Sequence, residues 1–139
     1  MDTLIGSWAL VSWDIAEPGS DAFAPLWPNA TGSLIYTREG MMSALVGEPG
    51  WMRDGAPPQT GFREGLIAYS GRYSFADDIV SHHVTVSNIR SWIGTDMRRR
   101  TVFGAENHLI LTTEETTDTS GVNAIHRIRW QRRDLHSTT

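Results

Sequence analysis

Apolar and polar side chains alternate with a period of two along most of the chain, in short runs broken by Gly, Pro, Asn and Asp. Eight such runs are legible: Ser7 to Ile15, Gly32 to Thr37, Met41 to Val46, Leu66 to Phe75, Ile79 to Ser87, Thr95 to Phe103, His108 to Thr113 and Val122 to Arg132. Three pairs flank short turns, at Arg38-Glu39-Gly40, Ala76-Asp77-Asp78 and Gly104-Ala105-Glu106-Asn107, which predicts hairpins. Glu17 to Asn29 reads as a loop, as does Gly47 to Thr60 with Pro49, Gly50, Gly55, Pro57 and Pro58. Gly61 to Gly65 has room for one helical turn.

Eight strands at short, even spacing, without a long helix, predict an all-β fold. An eight-stranded antiparallel up-and-down β-barrel buries every strand edge and leaves an interior just wide enough for one small ligand. A two-sheet sandwich is the rival arrangement. No repeat or low-complexity segment divides the chain, so residues 1–139 are expected to form one domain.

Composition narrows the function more than it shapes the fold. The chain has no cysteine and no lysine, all 12 basic residues being Arg. That excludes disulfides, thiolate chemistry, Schiff bases and a P-loop lysine. Arg in place of Lys points to a GC-rich, bacterial coding sequence. A net charge of −4 gives no counterion-release term, so nucleic acid is not an expected partner. Arg98-Arg99-Arg100 does not alter this, since alternate strand residues face opposite ways. Met1-Asp2-Thr3-Leu4-Ile5 carries no signal-like run, and no stretch approaches membrane-span length. The expectation is a cytoplasmic protein without a membrane partner. Asn29-Ala30-Thr31 matches a glycosylation sequon but reads as a polar turn.

Strand parity separates inward from outward side chains, because a one-residue slip exchanges the faces. In Ile79 to Ser87 the apolar face carries Val80, His82, Val84 and Val86, so His82 points inward and His83 outward. The same logic turns Ile67, Tyr69, Gly71, Tyr73 and Phe75 inward, together with Met97, Arg99, Thr101 and Phe103. Leu34, Tyr36, Met42, Ala44, His126, Ile128, Trp130 and Arg132 extend the lining. The interior is therefore expected to be aromatic and aliphatic, with His82, Arg99, Tyr36, Tyr69, Tyr73 and His126 as its polar groups.

Of these, His82 is either a hydrogen-bonded core histidine or a general acid/base. Tyr69 and Tyr73 are packing residues or phenolic donors. An inward Arg99 needs an anionic ligand or an internal acceptor, for which Asp14 is one candidate. Trp8 and Trp130 read as structural. Trp27, Trp51 and Trp92 fall where they can rim a mouth or form a homodimer contact. The histidines show no metal-ligand spacing, and no catalytic triad, nucleophile elbow or phosphate loop occurs. Neither a metal nor a cofactor is expected.

Gly6-Ser7-Trp8 at the head of the first strand resembles the short signature of lipocalins. Ala30 to Thr37 with Gly40 to Ala44 resembles the first hairpin of the bacterial and fungal lipocalin-like domain family. Ile67 to Tyr73, His82-His83-Val84, Ser87, Trp92 to Asp96, Arg99 and His126 to Trp130 continue the likeness over nearly the whole chain. Met97 and Arg98 depart from it, standing where a polar and an apolar residue are expected. The resemblance implies a barrel with a ligand-sized cavity and a floor made by Trp8 beneath an arginine of the last strand, Arg132 or Arg129. Some small barrels of this kind act as cofactor-free cyclases or isomerases.

Two functions follow. One is a cofactor-independent cyclase or isomerase acting on an apolar or polyketide-like biosynthetic intermediate, with His82, Arg99, Tyr69 and Tyr73 catalytic. Tyr36, Leu34, Met42, Met97, Phe103, Trp92, His126, Trp130 and Val84 would then bind the ligand. The alternative is a carrier of a small hydrophobic or aromatic metabolite.

Overall fold

The computed structural model describes residues 3–17, 19–26, 28–48, 65–113, 116–117 and 123–133. Its strands in chain order are β1 (Gly6–Ala16), β2 (Ala24–Pro25), β3 (Thr31–Tyr36), β4 (Met41–Gly47) and β5 (Leu66–Ala76). They continue as β6 (Ile79–Ser87), β7 (Asp96–Gly104), β8 (His108–Thr113), β9 (Thr116–Thr117) and β10 (Asn123–Arg132). All pairings are antiparallel, in the order β1-β3-β4-β5-β6-β7-β8-β10, and β10 returns to pair with β1 from Trp8↔Arg132 to Ala16↔Ile125. Eight strands thus close into a barrel, and the two-residue β2 and β9 sit beside β1 and β10. The eight expected strands are all present, with ends shifted by no more than one residue. The two short strands and the 3-10 turns Arg90–Trp92 and Ala105–Asn107 are additions. The helical turn expected at Gly61 to Gly65 falls almost wholly outside the described residues.

The short turns lie at one end of the barrel. Asp77 and Asp78 connect β5 to β6 with φ of 54° and 60°, the left-handed pair that a two-residue hairpin requires. The longer connections leave from the opposite end. Trp8 caps the interior at the short-turn end, buried against Leu4, whose carbonyl accepts its indole N–H at 3.0 Å. The Arg132 guanidinium lies 4.2 Å over the Trp8 ring and donates to the carbonyls of Ile5 (2.7 Å) and Thr3. The floor arginine is therefore Arg132, not Arg129. Gly6 makes this approach possible: its φ is +134°, and a Cβ there would stand 2.8 Å from Arg132 Nη1. Replacing Arg132 with Met is expected to cost about 2 kcal/mol, from two carbonyl hydrogen bonds and a cation–π contact. Urea unfolding followed by tryptophan fluorescence measures this, and an unchanged midpoint would refute it.

Two bulges move side chains off strict alternation. In β1 the register shifts between Leu10 and Ser12, so Trp8 and Leu10 face inward first and Trp13 and Ile15 afterwards. Asp14 consequently faces outward, 3.9 Å from Arg127, and is no partner for Arg99. In β5 and β6 the shift falls between Ser70 and Gly71, pairing Gly71 with Val84 and Ser70 with Val86. Val86, expected inside, is instead 59% exposed. The interior core comprises Leu34, Tyr36, Met42, Ala44, Val46, Ile67, Tyr73, Val80, Leu109, Leu111, Ile128 and Trp130 with the floor residues.

Candidate functional site

The polar part of the interior is organised around His82. It is 1% exposed, on the inner face of β6 between Val80 and Val84, while His83 points outward to Asp96 at 2.7 Å. Both ring nitrogens of His82 are engaged. Nε2 lies 2.6 Å from the Tyr36 hydroxyl and Nδ1 3.0 Å from the Tyr69 hydroxyl. Tyr69 belongs to β5, the neighbour of β6, whereas Tyr36 belongs to β3, so the Tyr36–His82 bond crosses the interior between strands that are not neighbours.

Proton counting constrains this array. Burial, reinforced by the positive charge of Arg99, lowers the His82 pKa to about 3, so the imidazole is neutral and carries one N–H. Burial also raises both tyrosine hydroxyls above the usual phenol range, although Arg99 pulls the other way, so both keep their protons. Three protons therefore serve two hydrogen bonds, and one is left over. A spare O–H is least costly at the more accessible oxygen. Tyr36 is fully buried, whereas Tyr69 is half-buried beside the Trp92 ring, 5.7 Å away edge-on. The favoured pattern has Tyr36 donating to Nε2 and Nδ1–H donating to Tyr69, leaving the Tyr69 hydroxyl free to donate elsewhere.

Arg99 on the inner face of β7 completes the group. It pairs in register with Val80 and with Thr113 and is half-buried. Its guanidinium donates to the Arg98 carbonyl at 3.1 Å and contacts Met97 Sδ at 3.5 Å, and among the described residues no carboxylate bonds it. Farther round the barrel Trp13 donates its indole N–H to His126 Nδ1 at 2.9 Å, which places the His126 proton on Nε2. The His126 backbone N–H donates to Thr113 Oγ1 at 2.9 Å.

The profile of the lipocalin-like domain family matches residues 5–133. The chain belongs to this family. No curated protein matches it. A lipocalin-like barrel is consistent with binding a small hydrophobic molecule, and this one carries the His82 array inside its lining. No helix among the described residues is long and apolar enough to cross a membrane.

The lipocalin-like interior places the other sequence candidates as follows. Leu34, Met42, Val84, His126 and Trp130 are buried, and Met97 is half-buried beside Arg99. Tyr73 is buried, but its hydroxyl proton goes to the Thr37 carbonyl at 2.8 Å, at the short-turn end and outside the His82 array. Phe103 is 42% exposed at the end of β7, its ring edge against Phe75, so it does not line the interior as expected. Trp92 stands at the end of the longer connections, and Trp27 and Trp51 lie outside the described residues. Trp13 and Thr113 were not among the sequence candidates. The signal for Trp13 is its odd spacing from Trp8: two large aromatics five residues apart share a face only across a bulge.

Proposed function

We propose that this barrel is a cofactor-independent cyclase or isomerase that folds an apolar, polyketide-like intermediate inside its lining. In this reading it works in the cytoplasm on a diffusible substrate. The observation that carries the proposal is the bonding of the Tyr36 and Tyr69 hydroxyls to the two nitrogens of buried His82, beside Arg99, which leaves the array one proton to spare. A substrate carbonyl oxygen accepts that proton in a hydrogen bond from Tyr69. His82, both nitrogens already bonded, does not reach the substrate and acts as a positioning residue that orients the Tyr69 hydroxyl. As negative charge gathers on the carbonyl oxygen, Arg99 and Tyr69 stabilise it. Confinement supplies the rest, since a flexible chain held in its reactive conformer loses much of the entropic part of the barrier.

Ring closure suits this array better than net proton abstraction. Passing a proton out through Tyr69 would leave a phenolate at buried Tyr36, whose hydroxyl holds its proton well above the usual range. A closure that conserves the substrate's protons needs only the hydrogen bond and the charge. The test is incubation of a fractionated metabolite extract of the source cells with purified protein, followed by chromatography and mass spectrometry. The expected result is a species that changes retention time at unchanged mass, with Tyr69→Phe slowing the conversion roughly 100-fold. A metabolite retained by the protein and returned unaltered would instead make it a carrier.

A further inference from the structure

Resting on this small-molecule reading, we propose that the ligand is an anion: an apolar body bearing a carboxylate or comparably acidic oxygen, seated against Arg99. A neutral hydrophobic ligand leaves Arg99 unexplained. Its side chain stands on the inner face of β7, opposite Val80 and Thr113, and among the described residues it bonds a neighbouring carbonyl and a thioether and no carboxylate. A half-buried cation with weak acceptors and no counter-ion is costly unless something else supplies the negative charge. The groups around it do not. His82 is neutral, and Tyr36 and Tyr69 keep their protons. Asp14, the carboxylate that strict alternation would turn inward, is turned outward to Arg127 by the β1 bulge.

The rest of the interior has the same sign. In the favoured pattern the surplus proton of the array falls on Tyr69, which then has a donor to spare. Trp130, 2% exposed between Leu10 and Leu109, carries a buried indole N–H that has no partner among the described residues. Arg99 thus lacks a negatively charged acceptor, and Tyr69 and Trp130 offer spare donors, the inverse of what an acidic interior or an amine-binding pocket presents. An acidic oxygen shared between the Arg99 guanidinium and the Tyr69 hydroxyl makes charge-assisted hydrogen bonds, the strong kind, to groups that already face the interior.

A matched pair of fluorescent probes tests this. 8-Anilinonaphthalene-1-sulfonate and N-phenyl-1-naphthylamine share one aromatic frame and differ by the anionic group. The intact protein should bind the sulfonate at least tenfold more tightly. Arg99→Met should abolish that preference while leaving the affinity for the neutral probe within about twofold, which also reports that the variant is folded. Arg98→Met removes the same charge one residue away on the exposed outer face and should change neither affinity. Arg99→Lys should retain part of the preference. Equal binding of both probes by the intact protein, or an equal loss in the Arg98 variant, overturns the anion proposal and leaves the small-molecule reading standing. Binding of neither probe overturns that reading as well.

Discussion

Replacing Gly71 with Ala will lower the free energy of unfolding by about 3 kcal/mol or more, toward the upper end for a single substitution. Gly71 occupies the bulge where β5 meets β6, and a Cβ there would lie 1.7 Å from the backbone carbonyl oxygen of His83. The obstacle is main chain, not the end of a side chain, so relief requires the strands to part or the bulge to move. Moving it would exchange the faces of the residues beyond it and carry Tyr69 away from His82. Gly40 is the control. Its φ is +90° with open space around it, so Gly40→Ala should cost only about 1–2 kcal/mol from backbone conformation. Urea unfolding curves for both variants measure the difference, and equal costs would show that the close approach at Gly71 is unimportant.

Below neutral pH the protein will lose stability through His82 at about 1.4 kcal/mol per pH unit. In the folded barrel the imidazole takes a proton only near pH 3, because burial and Arg99 oppose the charge. In the unfolded chain it takes one near its ordinary value of about 6.5. Between these values the unfolded state binds more protons, so stability falls with falling pH and is flat above the window. His82→Gln supplies one acceptor and one donor without titrating. At pH 7 the variant should be the less stable, having lost the fit of the imidazole to both hydroxyls. By pH 4 the gap should narrow by about 3 kcal/mol, and parallel stability curves from pH 7 to 4 would sink the idea. Because the comparison is a difference, the carboxylates and other histidines largely cancel.

The strand pattern and the inward set Tyr36, Tyr69, Tyr73, His82, Val84 and Arg99 are readable from alternation, because each belongs to a run with one clearly apolar face. Alternation fails where a bulge inserts a residue: it turns Asp14 and Val86 inward and misses Trp13. A glycine in mid-strand opposite Val84 is the one local sign of the second bulge. What no local pattern contains is the bonding of Tyr36 and Tyr69 to the two nitrogens of His82. The Tyr69 bond is a diagonal one between adjacent β5 and β6, whereas the Tyr36 bond depends on strand tilt and stagger around a closed barrel, which bring residues of non-adjacent strands together. The destination of the Tyr73 proton is hidden as well, since Thr37 lies in the β3–β4 turn that folds over the end of β5.

The seam between β1 and β10 joins Trp8 to Arg132, the first strand to the last. During synthesis, β1 therefore waits with one edge open until more than a hundred further residues have left the ribosome. Hairpins between consecutive strands can form as the chain emerges, whereas this seam cannot. Closure is thus a late event, and the guanidinium of Arg132 settling over Trp8 is the latch that ends the interval in which the nascent sheet is exposed to its neighbours.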